Sequence, residues 1–307
     1  MHDLSGFSRR DVMALGAGAA AGALAGAQAE AQTSILSRPI PSSGEMLPVV
    51  GVGTSIVFNV GNDPEKRKDI RAVLEALVAG GGKLVDTAPS YRTAEEVTGD
   101  LMEEARLRDK IFVATKVSVR DRAATIAEMQ QSQRRLKTQK FELEQLHNVS
   151  DAKTDLGLFR EWKRQGICRY FGITTSDGRD HAALAAVAKR EKPDFVQINY
   201  SLGDRDAEKV LPGFRDGGAA VLINMPFGRN QLFRLVRGKA LPDWAAEFDA
   251  KTWGQFFLKY LIANEAVTAV IPATSKAEHM TDNLGAGRGL LPDKAMRAKM
   301  VAFIDGL

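Results

Sequence analysis

Short apolar runs alternate with amphipathic stretches from residue 47 to the C-terminus. Eight runs read as strands. They are LPVVGVG (47–53), KLVDTA (83–88), IFVATKV (111–117), FELEQLH (141–147), CRYFGIT (168–174), FVQINY (195–200), AVLINM (220–225) and TAVIPA (268–273). Between them lie stretches of helical spacing. DPEKRKDIRAVLEALVAG opens on Asp-Pro and closes on glycines, and AEEVTGDLMEEARL and RAATIAEMQQSQRRLK follow the same pattern. Strands alternating with helices predict a parallel sheet. Eight such units in about 260 residues predict a closed (β/α)8 TIM barrel in a single domain. An open doubly wound sheet fits less well, because no strand runs into a G-x-G-x-x-G turn. GVGTS (51–55) stops after two glycines, and GGGK (80–83) meets Leu84 where a P-loop needs Ser or Thr. Residues 239–255, with Pro242, Trp244 and Trp253, read as a lengthened loop, and 291–305 as one more helix.

The first thirty residues break this pattern. Ser8-Arg9-Arg10-Asp11-Val12-Met13 precedes LGAGAAAGALAGA, a mild apolar run, and then AQAEA. Charged start, apolar middle and small residues two apart predict a secretory signal over 1–31, cleaved after Ala29 or Ala31. The paired arginines resemble a bacterial twin-arginine signal. The expected organisation is therefore a signal peptide at 1–31 and a periplasmic barrel at 32–307, with no membrane insertion after processing.

Composition narrows the function classes. The chain has 307 residues, 44% hydrophobic and 26% charged, with a net charge of +4. No basic run is interleaved with aromatics, which argues against nucleic acid as a partner. Cys168 is the only cysteine, so no intrachain disulfide can form, and it reads as buried filler. The histidines at 2, 147, 181 and 279 have no metal-ligand spacing.

The chemistry concentrates in four residues. Asp86, Tyr91, Lys116 and His147 fall at or just beyond predicted strand ends, and a parallel barrel gathers such positions at its C-terminal mouth. A phenol of pKa about 10 releases protons poorly near neutrality. A neighbouring ammonium is expected to lower that value, a carboxylate to aim the ammonium, and an imidazole to orient a substrate oxygen. Proton delivery to a carbonyl oxygen while hydride reaches carbon from a bound cofactor needs this set.

GVGTS, VDTAPSY-x-x-AEE-x-x-G, VATKV, LH, VQINYS and IPATSKAEHMTDNLGA occur in an order and spacing that resemble the aldo/keto reductase family. The resemblance covers nearly all of residues 35–290, and the DTAPSY and IP-x-TSK-x-EH-x-x-x-NL words are its specific parts. It implies a barrel binding NADP(H) across its mouth, with NAD(H) left open. Tyr91 would be the general acid, Lys116 and Asp86 its tuning pair, and His147 the substrate-orienting group. For the cofactor it implies Thr54 and Asp86 near the nicotinamide ribose and Gln197 on the carboxamide. Thr174 and Thr175 replace Ser-Asn or Ser-Arg there, and Asn224 replaces a stacking aromatic. Phe227 lies in MPFGRN, where a pyrophosphate loop is expected and Arg229 is available to a phosphate. Ser275, Lys276, His279, Asp282 and Asn283 match the adenosine end. Arg92 stands in place of the usual glycine after the tyrosine.

The leading expectation is reduction of an aldehyde, ketone or sugar, or oxidation of the alcohol, with a redox partner if the cofactor stays bound after export. A cofactor-sensing or partner-binding subunit without turnover is the alternative, with the 239–255 loop as its contact surface. A sugar-binding barrel without nucleotide would leave Ser275–Asn283 without a purpose.

Overall fold

The computed structural model describes residues 34–118 and 121–307, so the proposed leader lies outside the described residues. The chain from Ile35 onward begins with an antiparallel hairpin, β1 (Ser37–Pro39) and β2 (Met46–Pro48). Eight parallel strands follow: β3 (Val52–Gly53), β4 (Leu84–Asp86), β5 (Phe112–Val117), β6 (Phe141–Leu146), β7 (Cys168–Thr174), β8 (Phe195–Asn199), β9 (Ala220–Asn224) and β10 (Ala269–Val270). Each pairs in parallel with the next, and bridges Val50 to Val270 and Gly53 to Ala273 close the ring. The predicted barrel is therefore the observed fold.

Each predicted strand is present, but the first and last are trimmed. LPVVGVG divides between β2 and β3, and TAVIPA retains only Ala269–Val270. The hairpin strand β1 has no apolar alternation and was not anticipated by the pattern. Its purpose is packing: Ile40 and Leu47 join Leu84, Phe112, Leu143, Tyr170 and Phe195 in a buried cluster filling the barrel interior. A second, larger cluster lies between the strands and the helices, which accounts for strands apolar on both faces.

The helices begin and end as their sequences dictate. In α1 (Pro64–Ala79), Asp63 accepts from the Lys66 amide and Pro64 occupies the first turn. α2 (Ala94–Glu104) follows Tyr91, and α3 (Arg122–Arg135) is capped by Asp121. Residues 239–255 are not a free loop. Asp243–Phe248 form a 3-10 turn with Ala245 and Phe248 buried, and Trp244 packs on Phe256 and Phe303. The expected last helix is Lys294–Asp305. Among the described residues, no helix is long and apolar enough to cross a membrane.

Candidate active site

Strand register assembles the site. Asp86 ends β4 opposite Ala114, and Lys116 lies two residues on, on the same inward face of β5. Lys116 is level with Gln145 on β6, and Gln145 with Gly172 on β7. Gly172 is small for a reason. A Cβ there would sit 3.1 Å from Gln145 Cγ and 3.0 Å from the Phe195 carbonyl.

Lys116 Nζ donates to Asp86 Oδ2 at 2.6 Å and to the Thr87 carbonyl at 2.8 Å, with both charged side chains buried. Gln197 Nε2 donates to Asp86 Oδ1 at 2.7 Å and Gln145 Nε2 to the same oxygen at 3.2 Å. Three donors thus hold this carboxylate. Gln145 was not singled out from the sequence. Its inward position opposite Lys116 was the available signal.

Tyr91 closes a 3-10 turn, Pro89–Tyr91, directly after β4. Lys116 Nζ lies 5.2 Å from its ring centroid, and the His147 ring meets it edge-on at 5.9 Å. His147 Nδ1 is 3.5 Å from Ser90 Oγ. The four predicted residues therefore meet.

Their protonation differs from the expectation in one respect. Burial pushes the Tyr91 phenol above its usual value and the Lys116 charge offsets only part of that, so the net shift is upward. Lys116 is pulled down by burial, but Asp86 and Tyr91 outweigh this and keep it an ammonium. Burial, then Lys116, push His147 down to about 3, so its imidazole is neutral. The site at neutral pH holds a protonated phenol, an ammonium, a carboxylate and a neutral histidine.

A cleft of about 660 Å³ opens over these groups. Asp86, Tyr91, His147, Thr174, Gln197, Asn224 and Phe227 all line it. Thr54 and Thr175 are buried behind the lining, between or beside residues that reach it. Thr174 and Thr175 both accept from backbone amides: Thr174 Oγ1 from Asn148, in the loop after β6, at 3.0 Å, and Thr175 Oγ1 from Asp177, in its own loop, at 3.2 Å. Asn224 Nδ2 donates to the Thr175 carbonyl at 2.9 Å.

Ala273 lines the cleft, and the chain runs on from it through Ser275 into the helix Ala277–Gly285. Lys276 and His279 are exposed there, Asn283 is buried, and Asp282 is held by Thr252 and Gln255 at 2.8 Å each. These adenosine-end candidates do not line the cleft itself. Among the described residues no cluster of His, Cys, Asp and Glu could hold a metal.

Backbone strain gathers at the mouth. Ile56, Met225, Arg229 and Asn230 line the cleft with φ of 68°, 48°, 52° and 68°, and Arg92 follows Tyr91 at 59°. Left-handed conformations of such residues cost on the order of 1–3 kcal/mol each and collect at ligand-handling segments.

Residues 49–300 match the family model for the aldo/keto reductase family. The chain belongs to that family. It is an oxidoreductase by membership. Methylglyoxal reductase YeaE of Escherichia coli K12 is 29% identical over 255 residues, covering 80% of this chain and 87% of that protein. An aldo-keto reductase from Klebsiella pneumoniae, solved with NADPH, superposes with a TM-score of 0.72 at 24% identity over 88% of this chain and 96% of its own. A Klebsiella pneumoniae aldo/keto reductase solved with NADP and acetate gives 0.69 at 25% identity, over 85% of this chain and 93% of its own.

Proposed function

We propose that this protein is an NADP(H)-dependent carbonyl reductase, or the matching alcohol dehydrogenase, with Tyr91 as general acid. The observation that carries the proposal is the meeting of Tyr91, Lys116, Asp86 and His147 at one cleft. The cleft suits the cofactor in its polar atoms. Asn224 Oδ1, on the lining, is buried without a protein partner. Arg229 spends its Nε on the Met225 sulfur, a weak acceptor. Asp86, the one carboxylate lining the cleft among the described residues, is already held by Lys116 and two glutamines, so a polyanion meets no free acid among them. NADP-bound structures of family relatives point the same way.

When bound, the nicotinamide supplies hydride to the carbonyl carbon. The protein supplies the rest. Tyr91 Oη passes its proton to the carbonyl oxygen as negative charge builds there. Lys116 stabilises the phenolate left behind, and Asp86, fixed by three donors, keeps Lys116 charged and in place. His147, neutral, donates from its ring N–H to the same oxygen and fixes its approach. In the oxidising direction the proton path reverses. The adenosine end would lie along Ser275, Lys276, His279, Asp282 and Asn283, with Lys276 favouring a 2′-phosphate.

The twin-arginine leader reading makes this a periplasmic enzyme. A folded protein exported with its cofactor would retain NADP(H) and either cycle between two substrates or draw electrons from a redox partner. Mature protein released from the periplasm and denatured should then yield near-stoichiometric NADP(H). Empty protein that also fails to bind added NADPH would sink the redox assignment. Protein that is empty but binds NADPH would overturn only the preloaded cofactor.

A further inference from the structure

Asn224 ends β9 on the wall of the cleft that also carries Asp86, Tyr91 and His147. Its amide is oriented by chemistry. Nδ2 donates to the Thr175 carbonyl at 2.9 Å, and a flipped amide would set oxygen against oxygen. Oδ1 is therefore the free end, yet it is shielded from water and has no partner in the protein. A buried acceptor left unpaired costs about as much as a lost hydrogen bond. Thr174 and Thr175 Oγ1 accept from backbone amides, and Gln197 spends its Nε2 on Asp86, so neither Thr174 nor Thr175 offers an acceptor as unpaired and as fixed as Asn224 Oδ1.

Resting on the NADP(H) reading above, we infer that Asn224 Oδ1 accepts a hydrogen bond from the carboxamide amino group of the nicotinamide ring. The reacting ring must lie within reach of Tyr91 and His147, and its amide NH2 is the donor that a free acceptor on this wall can take. The adenine amino group lies at the other end of the cofactor. Asn224 is thus a positioning residue for the ring, where the sequence suggested a lost stacking surface. The backbone hold on Nδ2 fixes the acceptor before the cofactor arrives.

The test compares the affinity of full-length protein for NADP and for its 3-acetylpyridine analogue, in which a methyl group replaces the amide NH2 and the ring carbonyl is kept. The binding is read by quenching of protein fluorescence. Wild type should bind the analogue about tenfold more weakly, the scale of one buried acceptor left unpaired. Asn224→Leu, of similar volume and without the acceptor, should bind the two alike. Asn224→Ala, which also lacks an acceptor, serves if the leucine variant does not fold. Equal affinities in wild type, or discrimination that survives in the variants, would overturn the inference while leaving the cofactor reading intact. Binding of neither nucleotide would overturn the cofactor reading and this inference with it.

Discussion

Tyr91 and His147 share a cleft and a cause, since burial acts on both and works in opposite directions on an acid and a base. It raises the Tyr91 phenol and lowers His147 to about 3. The raised value keeps Tyr91 protonated at neutral pH but makes it a weaker acid, so its proton moves only as charge builds on the carbonyl oxygen. The expected reduction rate, kcat against pH, is therefore level from about pH 5 to beyond pH 9, falling only where Tyr91 ionises. An inflection near 6.5 would contradict a neutral His147. Tyr91→Phe should lower kcat/KM by roughly 10²–10⁴-fold with NADPH affinity unchanged. His147 also ties stability to acid. Its folded value lies below the unfolded 6.5, so the stability present above 6.5 is lost as pH falls toward about 3.

At the scale of elements, β6 presents different chemistry on its two faces. Gln145 points inward and holds Asp86, while Glu144 points out toward the helix layer, level with Thr115. Both Glu144 carboxyl oxygens are buried without partners, and burial, then nearby Glu95, hold its pKa well above the ordinary carboxylate range. Its stability contribution is full below the unfolded pKa of about 4.5 and is lost as pH rises toward the higher folded value. Glu144→Met should remove that loss. Its melting temperature at pH 8 is expected to exceed wild type, by a margin that shrinks toward pH 5, in a thermal melt series. A variant less stable than wild type at pH 8 would show that the acid has a role in the folded state. Close packing of α2 on α3 is equally invisible in the sequence: a Cβ on Gly99 would lie 2.1 Å from the Arg135 carbonyl.

At the scale of the whole barrel, the last helix is tied down by one polar knot. Glu208 accepts from Tyr200, from Tyr260 at 2.9 Å and from Arg297 at 3.0 Å. The Arg297 guanidinium lies 4.5 Å from the Tyr260 ring centroid and also donates to the Tyr260 carbonyl at 3.1 Å. Arg297→Ala removes the cation that joins two buried tyrosines to the exposed Glu208, with its packing on Tyr260, and should cost about 1–2 kcal/mol. A melting temperature lowered by roughly 2–6 °C, with NADPH affinity unchanged, is the expected outcome. The hairpin at the other end has its own anchor, Arg38, which donates to the carbonyls of Ile262 and Asn264 at 2.6 and 3.0 Å and also to Val267.

The sequence determined the barrel, because parallel strands buried on both faces must read as apolar runs and the helices between them as amphipathic ones. It also pointed to four residues that meet in the structure, since strand ends in a parallel barrel share one mouth. Asp86, Tyr91, Lys116 and His147 could be picked out without coordinates for that reason. Tertiary structure decided everything that depends on which groups lose water and which find a partner across the chain. It set the upward shift of Tyr91, where desolvation outweighs Lys116. It supplied Gln145 as a third holder of Asp86, bonded the hydroxyls of Thr174 and Thr175 to the Asn148 and Asp177 amides, and left Asn224 with one paired and one unpaired atom. Periodicity records burial along one strand, whereas desolvation and hydrogen-bond pairing are sums over neighbours distant in sequence, and only the closed barrel fixes those neighbours.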